Sequence, residues 1–190
     1  MEKSKVKSQK SKVLQNRGFT ILETLVAIAV LILSMTAAFY VAQTGLSLSI
    51  SSRNEVTAFY LAQEAIEFVR NIRDENSLNG QSWLLGIADS AADPCYFGNY
   101  CAVDSPNKTI VTCGSTAGLC PALRQDQGES SSTFGMYGLD SLWALANFRR
   151  ELFIKQINAN EIALTVTLYW TKGVLERQFV VHDNLLNWQR

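Results

Sequence analysis

The sequence predicts an α+β fold, on three patterns: a long apolar run near the N-terminus, an amphipathic helical stretch continuing it, and period-two alternation in the C-terminal third. The expected form is a long protruding N-terminal helix over about residues 19–75, packed through its second half on a small antiparallel sheet, behind an irregular leader. A chain of 190 residues has room for about one ordinary domain. One helix and one modest globular head fill that allowance.

Leu25 to Ala42 carries no charge and sits at the lower edge of what crosses a bilayer as a helix. Phe19 to Leu22 extend the apolar stretch upstream, interrupted only by Glu23. A secretory signal peptide is the main rival here, since Thr36-Ala37-Ala38 mimics its cleavage site. Helical character nevertheless continues past that point. On a 100° wheel, Ala58, Leu61, Ala62, Ala65, Ile66, Phe68, Val69 and Ile72 fall on one side. Gln63, Glu64, Glu67, Arg70, Asn71 and Asp74 fall on the other. No proline precedes Pro94, and Gly45 is the only glycine between Phe19 and Asp74. One helix, with 19–45 as its membrane half and 46–75 as its amphipathic half, would be about 85 Å long.

Residues 76–147 are turn-rich, with Asn79-Gly80, Asp93-Pro94, Ser105-Pro106 and a polar run from Gln125 to Thr133. Short strands are expected at Tyr100–Val103 and Thr109–Thr112. Residues 148–190 form the expected sheet. Ile162, Leu164, Val166, Leu168 and Trp170 alternate with Ala163, Thr165, Thr167 and Tyr169, as in a half-buried strand. Thr171-Lys172-Gly173 turns into a second strand from Val174 to Val181, and Phe148–Ile157 precedes them as a third.

The formal net charge of zero hides an asymmetry, because Lys3, Lys5, Lys7, Lys10, Lys12 and Arg17 face Glu2 alone in residues 1–18. That leader is +5 and the remainder −5. The basic run has no aromatic or glycine-rich companion and leads straight into apolar sequence, which argues against a nucleic-acid arm.

Gly18-Phe19-Thr20-Ile21-Leu22-Glu23, between the basic leader and the apolar run, resembles the prepilin processing site shared by type IV pilins and the pseudopilins of type II secretion. Basic leader residues hold the N-terminus on the cytoplasmic side. The resemblance implies that leader 1–18 is cut off after Gly18 by prepilin peptidase and that the new amine of Phe19 is methylated. It implies that Glu23 serves assembly, neutralising the amine of a neighbouring subunit. A carboxylate within an apolar span costs roughly 2.5–3.5 kcal/mol at the centre and less near an end, so a partner is expected. The bland alternative is a headgroup-level Glu of an ordinary signal anchor.

Tyr60 to Asp74 and the ending Thr165–Trp170 through Leu186–Gln189 are similar to PilV-like minor pilins and the related minor pseudopilins of type II secretion. Residues 76–147 match that group less well. The implied partners are other pilin or pseudopilin subunits, prepilin peptidase, an inner-membrane assembly platform and the lipid bilayer. The implied location is a single-pass inner-membrane protein with its head exported, then a surface or periplasmic filament.

Cys95, Cys101, Cys113 and Cys120 lie in the turn-rich segment, and an even count in an exported region favours disulfides. Their spacing is not the C-x2-C of common zinc sites, so neither a metal nor a cofactor is expected. Three pairings are open, with two local loops, Cys95–Cys101 and Cys113–Cys120, as the working choice. His182 beside Asp183 invites a triad reading, but no G-x-S-x-G elbow accompanies it, and no enzyme is expected. Trp143, Phe148, Trp170, Phe179 and Trp188 are read as core packing rather than a carbohydrate platform. The functional expectation is a structural minor pilin or pseudopilin. Its rival is a signal-anchored surface protein whose head binds a ligand without polymerising.

Overall fold

The structure is a computed structural model that describes Gly18 and residues 20–188. Leader residues 1–17 and Phe19 lie outside the described residues, so the expected irregular leader and one side of the expected cut do too. The chain divides into two units between Ser47 and Leu48. A single helix, α1 (Ile21–Leu78), contributes to both. It runs through Gly45 without interruption and ends three residues beyond the expected limit. Asn76 is why: its side-chain amide donates to the Leu85 carbonyl at 2.9 Å, tying the last turn to the following segment. Gly80 then takes φ 65°, a left-handed conformation that closes helix ends at little cost for glycine.

In the first unit the helix buries nothing; every residue from Ile21 to Ser47 is exposed within the chain. In the second unit Ala58, Leu61, Ala62, Ala65, Ile66 and Val69 are buried and Phe68 and Ile72 half-buried, which is the face the wheel assigns to the core.

The sheet has seven strands, two more than the five expected: β1 (Tyr100–Asp104), β2 (Thr109–Gly114), β3 (Ala122–Gln125), β4 (Tyr137–Gly138), β5 (Ala144–Asn158), β6 (Glu161–Lys172) and β7 (Leu175–Leu186). All pairings are antiparallel, with β5 joined to β1, β3 and β6. β2 pairs with β1, β4 with β3 and β7 with β6. The two extra strands are too short for alternation to reveal them. Along β6 the buried positions are Ile162, Leu164, Val166, Leu168 and Trp170, matching the sequence pattern. The β6–β7 turn sits at Gly173 and Val174, with Lys172 still paired to Leu175. β7 extends five residues past Val181 because Asp183 and Asn184, which interrupt its apolar pattern, have polar partners.

The core joins the helix face to Leu152, Ile154, Ile162, Leu164, Val166, Leu168 and Leu185. Phe148 and Trp170 are buried and Phe179 half-buried, whereas Trp188 is exposed and donates its indole N–H to Asp74 at 3.3 Å. Trp143, also expected in the core, is only half-buried, and Trp83, in a turn segment with Leu84 and Ile87, is a core residue the sequence reading did not name.

Candidate functional site

Thr20 precedes the first helical residue, and its Oγ1 accepts the backbone N–H of Glu23 at 3.3 Å. Thr20-Ile21-Leu22-Glu23 thus has the S/T-x-x-E spacing of a capping box, a signal present in the sequence but missed there. Glu23 lies in the first turn of α1, where a carboxylate complements the positive end of the helix dipole. Gly18 is exposed, and a Cβ built on it meets nothing within 4 Å. Folding within the chain therefore places no steric demand for glycine at this position.

The charge-free segment from Leu25 to Ala42 lies wholly within α1, which among the described residues is the one helix long and apolar enough to cross a membrane. The serine and threonine hydroxyls in and beside this stretch are closed on their own helix: Thr24 donates to the Ile21 carbonyl at 2.8 Å, Ser34 to Leu31 at 2.8 Å, Thr36 to Ile32 at 2.7 Å and Thr44 to Tyr40 at 2.9 Å. Such back-bonding satisfies polar groups that lipid cannot.

All four cysteines are oxidised, as Cys95–Cys101 and Cys113–Cys120. The first bridge is buried and ties the loop after α1 to β1. The second closes the segment between β2 and β3, and beneath it Glu151, 1% exposed, accepts the Gly118 N–H at 2.9 Å and the Cys120 N–H at 3.3 Å. On β5 the neighbouring Arg150 is fully buried, donating to the Leu61 carbonyl of α1 and the Val103 carbonyl of β1, each at 2.8 Å. Its Nη1 also lies 3.5 Å from Glu64 Oε2. Burial pushes the Arg150 guanidinium below its ordinary range, with Glu64 and Asp104 opposing that shift. Sequence reading missed Arg150 and Glu151, although the alternation Phe148, Arg150, Leu152, Ile154 points Arg150 inward.

His182 and Asp183 do not meet as partners, because successive residues of β7 face opposite sides of the sheet. His182 Nδ1 lies 2.9 Å from Thr165 Oγ1, while Asp183 accepts from Arg70 at 2.8 Å. The Arg70 guanidinium loses some basicity to desolvation, but Asp183 and Glu67 more than restore it, leaving its pKa raised. On another side of α1, a groove of about 710 Å³ runs between Tyr60, Leu61 and Glu64 on the helix and Pro106, Met136 and Tyr137 opposite.

The family model described as the prokaryotic N-terminal methylation motif matches residues 14–39. No curated protein and no solved structure matches the chain. The match takes in Gly18, Phe19, Glu23 and most of the apolar segment, and it makes the N-terminal end type IV pilin-like. A prepilin-peptidase substrate with a single membrane-anchoring helix is the class that motif and helix together describe.

Proposed function

We propose that this chain is a structural minor pilin or pseudopilin, closest in kind to the PilV-like subunits. Prepilin peptidase removes residues 1–18, Phe19 is methylated, and the mature chain assembles through α1 into a type IV pilus or a type II secretion pseudopilus. The leader stays cytoplasmic and the disulfide-bearing head is exported. The inner-membrane assembly platform and the other subunits are the working partners, and no catalytic role is assigned. The observation that carries this reading is the methylation-motif match over residues 14–39. Two further features support it. Gly18 stands in open space, so its identity answers to something other than folding. A wholly exposed apolar helix half also needs lipid or other helices to cover it.

Mass spectrometry of the mature N-terminus tests the proposal. A chain beginning at methylated Phe19 is expected. An intact leader would instead mean a signal anchor, and a start near Ala38 would mean a secreted head.

A further inference from the structure

We propose that one end of the head seats on the surface of the bilayer that α1 crosses, through exposed apolar residues clustered on three loops. This rests on α1 being a membrane anchor and adds a second, peripheral lipid contact to it. The contacts between α1 and β7 define which end is meant. Phe179 meets Phe59 edge to face with ring centroids 6.2 Å apart, Asp183 accepts from Arg70 at 2.8 Å, and Trp188 donates to Asp74 at 3.3 Å. β7 therefore advances along the helix in the same sense as α1, and its first residues lie toward the point where α1 enters the head. Val174 stands five residues before Phe179, about 17 Å at the rise of a strand. That is the length of about eleven helical residues, which brings the β6–β7 turn level with Leu48, the first residue of the second unit.

Two more loops end on the same side. The Asn147 side chain donates to the Thr171 carbonyl at 2.7 Å and accepts the Thr171 N–H at 3.2 Å, so the start of β5 runs beside the β6–β7 turn. Gln125 pairs there with Ala144 and with Tyr137, so the loop from Asp126 to Met136 leaves the sheet at this end as well. These loops and the strand residues beside them carry Phe134, Met136, Leu142, Leu145, Val174 and Leu175, all exposed. Leu142 is 91% exposed, Leu145 70% and Val174 fully. Charges in the same segments balance, with Arg124, Lys172 and Arg177 against Asp126, Glu129 and Asp140, while Arg149 and Glu176 pair with each other at 3.1 Å. The attraction on offer is therefore apolar rather than electrostatic. Connectivity selects the occupant. Ala42 ends the charge-free segment six residues before Leu48, no more than about 20 Å of chain even when fully extended. Exposed apolar loops tethered that close to a bilayer meet it at high effective concentration, and contiguous apolar surface of this kind marks a membrane contact.

All four native cysteines are bridged, so one added cysteine can be labelled without reductant. The test labels full-length Val174→Cys, Leu142→Cys and Asn160→Cys with a nitrobenzoxadiazole fluorophore. Each is reconstituted into phosphatidylcholine vesicles, with and without lipids spin-labelled near the headgroup, at dilutions that leave most vesicles with a single chain. Probes at 174 and 142 are expected to shift to the blue and to be quenched by the spin-labelled lipid. The probe at 160, in the β5–β6 turn at the other end of the sheet, is expected to do neither. Val174→Asp should cut quenching of the probe at 142 about tenfold, the scale of burying one such side chain, and Leu142→Asp should do the same to the probe at 174. High salt should change neither signal. Equal quenching at 174 and 160, or quenching that survives both aspartate substitutions, overturns the seating and leaves the anchor standing. A blue shift that appears only at high protein density means that this end meets a second copy, and loss of quenching in salt means charge attraction; either overturns apolar contact with lipid. Release of the chain from the vesicles by alkaline carbonate overturns the anchor as well.

Discussion

At residue scale, Gly18 and Glu23 separate into different kinds of requirement. A Cβ at Gly18 meets nothing within 4 Å, so the expected effect of Gly18→Val is confined to the peptidase: full-length precursor accumulates in the membrane fraction, and unchanged mature mass refutes the assigned cut. Glu23 has a local role, since its carboxylate in the first turn offsets the helix dipole, while the cap itself uses only its backbone N–H. A free amine at Phe19 would place a positive charge at that same positive helix end, which raises the demand for a nearby carboxylate. Glu23→Val should leave cleavage nearly intact, ease membrane insertion and lower the number of copies per filament, counted in sheared material at equal membrane abundance. Equal incorporation sinks the pairing role. Arg150 belongs to the head instead. Replacing it with Ala removes two buried charge-assisted bonds and leaves a cavity, costing about 3 kcal/mol or more in denaturant unfolding followed by tryptophan fluorescence. The processing motif was legible because four residue types stand at fixed offsets. Arg150 and Glu151 were not, because the sequence Phe148-Arg-Arg-Glu-Leu152 looks like a solvated stretch until neighbouring strands and loops bring carbonyls and N–H groups to it.

At element scale, legibility follows length. The amphipathic half of α1 and the strand β6 each carry enough repeats for periodicity to fix their buried faces. β3 and β4 carry four and two residues, and pairing alone defines them. The segment between Cys113 and Cys120 is held by its bridge and by Glu151 rather than by apolar packing. Thiol labelling of the native protein without reductant should therefore find no free cysteine. Glu151→Ala should free that segment to proteolysis at Gly118 while leaving Cys95–Cys101 protected. The loop from Asp126 to Met136, which lends Met136 to the groove, has its own acid dependence. Hydrogen bonding from Ser131, Gly128 and Thr133 holds the Asp126 carboxyl below its ordinary 3.8. Its stabilising effect is thus fully present above that value and is lost as pH falls through the lower folded-state value. Asp126→Asn should be less stable than the natural chain at neutral pH, and the gap should close in strong acid, as read by denaturant titrations across pH.

At the scale of the whole molecule, the charge asymmetry visible in the sequence becomes a division of labour. In the proposed assembly, removal of the basic leader would leave a chain of net −5, whose heads would repel at long range while α1 supplied the attraction. Heads gathered along a filament would stand at very high local concentration, which makes any unprotected strand a hazard. β7, twelve residues long and paired among the described residues only with β6, is such a strand. Asp183 sits on its core-facing side opposite Leu164, where Arg70 pairs with it at 2.8 Å. An incoming strand would have to desolvate that ion pair to lay its own apolar residues alongside. In the proposed assembly the salt bridge would therefore act less as a support for the head than as a guard on its margin, keeping a polymer built by helices from fusing through its sheets. Asp183→Val should leave monomer folding largely intact yet promote head-to-head aggregation at high protein concentration, measured by light scattering, and no change in scattering would count against that role.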